Sequence, residues 1–317
     1  MRLFQNASYK FIEKRKTAYV FSSVLIAVGI AAMIYNISTL GTWVRYGVDF
    51  TGGSLVQVQF QDDVSIEDLR SALGGVEITR FGDAATHEFV VRAPLDENSS
   101  IEDVASNIES EITSTLPGRP FTVVRTELVG AKVGNELEQK ALLAILFSFA
   151  ITLLYLAVRF EFRFGLAAII ATAHDILITL GFIALFRVEV ALPTVAAILT
   201  ILGYSLNDTI IVFDRIRENL NKKGARKRDQ VELVNESINE TLPRTVLTSG
   251  TTLAVLVALL ILGGAVIRDF TIVLILGVGF GTYSSIFVAS PALIEIQKRW
   301  GEGKSNEKKK RPEPATV

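Results

Sequence analysis

The stretch Thr17–Val44, TAYVFSSVLIAVGIAAMIYNISTLGTWV, holds no Asp, Glu, Lys, Arg or His. A bilayer core is crossed by about 20 mostly apolar residues in helical form, so this run is long enough to span one. The apolar segment of a secretory signal is only about 7–15 residues, and no small-residue cleavage site closes this run; it reads as a retained anchor over 18–40. Moving outward, Ala141–Val158, Thr245–Ile267 and Phe270–Ile294 are equally free of charge. Phe164–Phe186 is interrupted only by His174 and Asp175, and Val190–Asn207 continues through Asp208 to Phe213. The expected architecture is an α-helical membrane protein with six transmembrane helices, the last five at about 141–158, 164–186, 190–213, 245–265 and 270–293.

Composition supports this and excludes several functions. Half of the 317 residues are hydrophobic, and the mean hydropathy is +0.40. Lys+Arg 32 against Asp+Glu 33 gives a net charge of −1, which argues against a nucleic-acid partner. The chain has no Cys and only 2 His, His87 and His174, so disulfides, thiolate sites and multi-His metal centres are excluded. No nucleophile and base can be placed together, and His87 reads as an exposed strand-end residue. No enzymatic activity, cofactor or metal is expected.

The basic residues set the orientation. They concentrate in the N-terminus 1–17, in the short turn with Arg159 and Arg163, in the loop 214–244 and in the tail 295–317, which reads as disordered. The two tight hairpins on the other side carry only Arg187 and Arg268. Both termini are therefore expected in the cytoplasm, and 41–138 on the far side of the membrane. The loop segment Lys222–Arg228 reads as a solvated turn, with contact to lipid or ribosomal RNA the weaker alternatives.

The segment 41–138 is net negative and long enough to fold as a domain. Leu55–Phe60 alternates at strand period. Ser65 and Asp68 form a weak capping box for a helix to about Leu73. Val76–Phe81 and Glu88–Ala93 read as strands. Ser100 is expected to cap a helix to about Leu116, with Ile101, Val104, Ile108 and Ile112 on one face. Pro117 and Gly118 break it, and Phe121–Val129 is the last strand. The order βαββαβ is that of an α+β, ferredoxin-like fold.

Ionisable residues inside spans default to function. Asp175, with His174 beside it, lies deep in the third span; the alternative is a pair that fixes helix register. Asp208 sits in a polar stretch of the fourth span. Tyr204 shares its face at i,i+4, Ser205 adjoins, and Asn207 and Thr209 extend the polarity. Asp208 is only six residues before Asp214, about 9 Å along a helix, so an interfacial acid is the competing reading. Arg244 opens the fifth span as a candidate cation or as a snorkelling residue. Gly277, Gly281, Ser285 and Ala289 recur at every fourth position of the sixth span, a close-packing ladder for a helix of this chain or of a partner.

Several motifs then converge on one family. Gly47-Val48-Asp49-Phe50-Thr51-Gly52-Gly53, Val133-Gly134-Asn135-Glu136-Leu137, Arg159-Phe160-Glu161, His174-Asp175 and the long run Gly203–Asn219 resemble successive signatures of the SecD/SecF family. Asn239, Thr241–Thr245, Thr248-Ser249 and Gly281–Ile286 continue the match; Pro243 departs from it, where a small polar residue is more usual. The likeness spans about residues 10–295. It implies an accessory subunit of the Sec translocase, of the resistance-nodulation-division superfamily, promoting late steps of export with the proton-motive force. The implied partners are a SecD-like six-helix subunit, the SecYEG channel, the unfolded polypeptide in transit and membrane lipid. The family's membrane acid and arginine fall on Asp208 and Arg244, with Asp175 and His174 extending the path. Two other functions remain open at this point: a small-molecule or lipid exporter subunit of the same superfamily, and a non-conducting structural subunit.

Overall fold

The computed structural model describes residues 8–74, 76–82, 84–93, 101–222, 228–264 and 267–300. Ser100, expected to cap a helix, and most of the tail 295–317 lie outside them. In chain order the elements are α1 (Arg15–Leu40), β1 (Arg45–Tyr46), α2 (Val48–Thr51), β2 (Gly53–Phe60), α3 (Ile66–Ala72), β3 (Glu77–Phe81), β4 (Glu88–Ala93), α4 (Ile101–Thr115) and β5 (Phe121–Val129). Then follow α5 (Ala131–Arg159), α6 (Phe162–Phe186), β6 (Glu189–Val190), α7 (Leu192–Leu220), α8 (Gln230–Leu262), α9 (Arg268–Ser284), a π-turn (Ser285–Ala289) and α10 (Ser290–Trp300).

Six helical segments are long and apolar enough to cross a membrane: Ile12–Leu40, Val133–Arg159, Phe162–Phe186, Leu192–Leu220, Gln230–Leu262 and Arg268–Arg299. They are not equivalent. Half or more of the apolar window is buried in α6, α7 and the last span (50%, 56% and 56%), against 17%, 6% and 17% in α1, α5 and α8. The first three form the centre and the others flank it.

Small residues set the packing distances. A Cβ on Gly29 of α1 would lie 2.6 Å from Cα of Gly181 on α6, so the two backbones touch there. Asn36 of α1 donates to the Ala184 carbonyl at 2.8 Å. The ladder of α9 meets α7 of the same chain: a Cβ on Gly277 would strike Ile201 at 2.2 Å, and one on Gly281 would lie 3.0 Å from Cβ of Ser205.

Between α1 and α5, β2–β5 form one antiparallel sheet in the order β3-β4-β2-β5. Successive side chains of a strand point to opposite faces, which puts Val56, Val58, Ile78, Phe89 and Val91 into a core with Leu69 of α3 and Val104, Ile108 and Ile112 of α4. Ser65 caps α3 by accepting from the Asp68 amide at 3.1 Å. His87 lies half-buried in the turn before β4, its Nδ1 3.5 Å from Asp63, in a left-handed conformation with φ 50°.

The glycine-rich stretch from Gly47 to Gly53 docks the sheet onto the helices. Gly52 and Gly53 take φ 69° and 122°, where a side chain would be strained. A Cβ on Gly134 of α5 would lie 2.7 Å from the Phe50 carbonyl, so α5 passes against the backbone of this turn. Asp49 accepts from the Leu192 amide at the start of α7, at 2.8 Å. β1 pairs in parallel with β6, Arg45 with Glu189 and Tyr46 with Val190; this short ladder has too few residues to show an alternation and was not anticipated.

Three boundaries differ from the sequence reading. The loop 214–244 is mostly helical: α7 runs on to Leu220 and α8 begins at Gln230. Leu233, Val234, Ile238 and Leu242 explain this, since they are buried against the membrane helices. Pro243 lies inside α8 without ending it. The last span is not one α-helix but is widened by the π-turn, where the Ser290 hydroxyl donates to the Ser285 carbonyl at 2.9 Å.

Asn235 and Asn239 of the α8 extension hold the N-terminal segment. Asn239 exchanges hydrogen bonds with the backbone of Tyr9 at 3.0 and 2.9 Å, and Asn235 accepts from the Ile12 amide at 3.0 Å. At the same end, Arg159 and Arg217 both pair with Asp214, at 2.9 and 3.1 Å, and both guanidinium groups lie over the Phe160 ring.

Candidate functional site

Two polar clusters occupy the centre of the helical bundle, on adjacent turns of α7 and α9. The first is built on Asp175 of α6, which is 1% exposed. Its Oδ2 accepts from the hydroxyls of Ser205 (α7) at 2.5 Å and Ser284 (α9) at 2.6 Å. Its Oδ1 lies 2.8 Å from Nδ1 of His174. The other ring nitrogen, Nε2, is 2.9 Å from the Ser22 hydroxyl of α1. Ser22 in turn is 3.3 Å from the Tyr283 hydroxyl, which donates to the Ala18 carbonyl at 3.0 Å. One unbroken chain of polar contacts therefore runs from α7 and α9, through α6, to α1. Gly281 helps to make it possible, because without a side chain there α9 approaches Ser205 of α7 closely enough for one carboxylate to take a hydroxyl from each.

The second cluster is built on Asp208 of α7, which is 0% exposed. Its Oδ2 accepts from the Ser249 hydroxyl of α8 at 3.1 Å, and Ser249 accepts from Thr282 of α9 at 2.7 Å. Its Oδ1 is buried and has no hydrogen-bond partner among the described residues. That oxygen is an open acceptor inside the bundle, able to receive a proton or a donor from a rearranged neighbour. Tyr204, one turn away, also faces α8, with its hydroxyl 3.4 Å from Thr252.

Four expected features take a definite form. Asp208 is an interior group and not an interfacial acid. Arg244 is exposed and makes no hydrogen bond or ion pair with Asp208 among the described residues. Thr209 is buried. Asn207 corrects the proposed polar face: it is exposed, because one residue along a helix turns the side chain by about 100°, and Asp208 already occupies the inward direction. Ser22 had no signal beyond being a hydroxyl in an apolar run. Ser249, Thr282, Tyr283 and Ser284 lay within family signatures, but nothing in their spacing assigned them to a particular carboxylate.

Six membrane-capable helices, with two carboxylates enclosed by hydroxyls from neighbouring helices, define a multi-pass membrane protein with an intramembrane polar centre. The SecD/SecF C-terminal family of protein export membrane proteins matches residues 109–299, and the SecD/SecF GG motif matches 37–64. The chain belongs to this family. It is 44% identical to a protein translocase subunit SecF of Gemmatimonas aurantiaca, over 95% of this chain and 90% of that protein. It is also 44% identical to a SecF of Vibrio alginolyticus, over 90% of this chain and 89% of that one. The crystal structure of SecDF from Thermus thermophilus, described as translocon-associated, superposes with a TM-score of 0.79 at 37% identity. It covers 94% of this chain and 40% of the SecDF chain, so the present chain spans two fifths of the solved one.

Proposed function

We propose that the chain is an accessory subunit of a Sec-type translocase, working with a SecD-like six-helix partner and the SecYEG channel to promote late steps of protein export with the proton-motive force. In this reading both termini are cytoplasmic, in a bacterial inner membrane, and 41–138 forms a ferredoxin-like domain outside. The observation that carries it is Asp208, fully buried with one oxygen held by Ser249 and the other open. A buried carboxylate with one oxygen held by a hydroxyl and the other without a partner among the described residues is positioned to take up and release a proton as its neighbours rearrange. Protonation removes the attraction between Asp208 and Arg244 and alters how α7 sits on α8. Each elementary charge crossing the membrane field supplies about 2.3 kcal/mol per 100 mV, which biases a two-state equilibrium by more than tenfold.

The Asp175–His174–Ser22 chain provides the route outward. It fastens the centre to α1, and α1 leads through β1 and α2 into the sheet. A shift of α6 against α7 and α9 thereby reaches the domain that handles the emerging polypeptide.

The test is export into membrane vesicles under an imposed proton gradient. Asp208→Asn is expected to abolish the stimulation while leaving the membrane level and the complex intact, and Arg244→Met to do the same. Wild-type stimulation in Asp208→Asn would show that the chain is a structural subunit whose buried acid is dispensable.

A further inference from the structure

A second cleft lies away from the carboxylates, between the open face of the sheet and the ends of α6, α7 and α9. Its volume is about 490 Å³. Six arginines and four carboxylates line it, and six against four leaves two positive charges in excess. The carboxylates are all engaged. Glu189 pairs with Arg92 and Glu127 with Arg125. Asp49 accepts from the Leu192 amide at 2.8 Å and Asp269 from the Glu189 amide at 3.3 Å. Arg187 and Arg268, by contrast, are exposed and make no ion pair or side-chain hydrogen bond among the described residues.

Both stand where a span meets the membrane interface, Arg187 directly after α6 and Arg268 as the first residue of α9. Arg187 closes α6 in the left-handed region, with φ 52° and ψ 37°. Glycine or asparagine takes that position more easily, so an arginine is held there at a conformational cost. Phe182 and Phe186, which line the same cleft, stack with ring centroids 4.1 Å apart, and Phe186 is 59% exposed. Two guanidinium groups without an ion pair among the described residues thus share a cleft at the span ends with a partly exposed aromatic pair.

We propose that this cleft seats the phosphate of an anionic phospholipid from the leaflet beneath the sheet domain, clasped by Arg187 and Arg268, with its acyl chains against Phe182 and Phe186. Guanidinium binds phosphate through paired N–H donors, which a lysine cannot reproduce. The aromatic floor favours a lipid over an acidic polypeptide segment, because a carboxylate partner would leave the rings uncovered. A lipid held here bridges the ends of α6 and α9 next to the sheet.

The wild-type full chain in detergent tests this without any substitution. Phenylglyoxal labelling of Arg187 and Arg268, read by peptide mass spectrometry, is expected to fall at least fivefold on adding phosphatidylglycerol and to be unchanged by phosphatidylcholine. Equal protection by the two lipids would overturn the proposal. Equal protection by inorganic phosphate would reassign the cleft to a free anion, and protection by polyglutamate but not by phosphatidylglycerol would reassign it to acidic polypeptide; either result also overturns it. Native mass spectrometry of Arg187→Gln/Arg268→Gln is expected to show one fewer retained phosphatidylglycerol, with the helical circular dichroism unchanged. An unchanged adduct count in that variant contradicts the assignment.

Discussion

The helices at the centre and those at the flanks have similar hydropathy but opposite surroundings. α6, α7 and α9 bury Asp175, Asp208 and a set of hydroxyls against one another. α1, α5 and α8 turn large apolar side chains outward, among them Ile34, Phe147, Leu154 and Val255. Hydropathy therefore identifies a span but does not show which of its faces is filled. The small residues mark the difference more closely. Where glycine or serine falls on a shared face, backbones come near enough for a buried polar group to be satisfied from several helices at once.

The sharpest break of that contrast is at Asp208. Asp208→Asn keeps the shape and is expected to remove essentially all gradient-stimulated export, by more than tenfold, with an unchanged amount of protein in the membrane. Next is the seam between a flank and the centre. Gly29→Leu places a side chain onto the backbone of Gly181, where no rotamer relieves the overlap. Overpacking of this kind typically costs about 1–3 kcal/mol, and a lowered thermal unfolding midpoint in detergent, with α1 becoming accessible to protease, is the expected result. Gly277→Ala is also expected to destabilise, because its Cβ would lie 2.2 Å from Cγ1 and Cδ1 and 2.8 Å from Cγ2 of Ile201, a β-branched side chain with little freedom to turn away.

A smaller effect separates the two carboxylate clusters. Ser22→Ala removes the contact between His174 and α1 while leaving Asp175 with Ser205 and Ser284. One neutral hydrogen bond contributes about 0.5–1.5 kcal/mol, so stability should fall by about that amount. If the chain to α1 transmits motion, export should fall more than stability explains. The smallest effect belongs to the flanks: Leu154→Ala, on an exposed face of α5, should change the stability of the isolated chain by less than about 0.5 kcal/mol. A larger loss in the assembled complex than in the isolated chain would show that a partner covers this face.

The sheet was legible because Leu55–Phe60 carries a two-residue period, Ser65 marks a helix start, and Pro117 and Gly118 set off Phe121–Val129. The two intramembrane acids were legible because a charge in an apolar run stands out. Their partners were not. Ser249 and Ser284 are ordinary small residues in the sequence, and their assignment to Asp208 and Asp175 follows from how far α8 and α9 are rotated about their axes. That Arg244 makes no ion pair with Asp208 among the described residues, and that Asn207 points outward, have the same origin.

From sequence alone came the six apolar segments, the order of strands and helices between the first two, and the identity of the buried acids. Each of these rests on a local period or a local contrast within a few turns of chain. Tertiary structure alone decided that Ser22 meets His174 across 152 positions, that Gly29 meets Gly181, and that β1 pairs with β6. Such contacts depend on the distance and rotation between packed helices, which shape complementarity among glycines and hydroxyls sets and which no local pattern encodes.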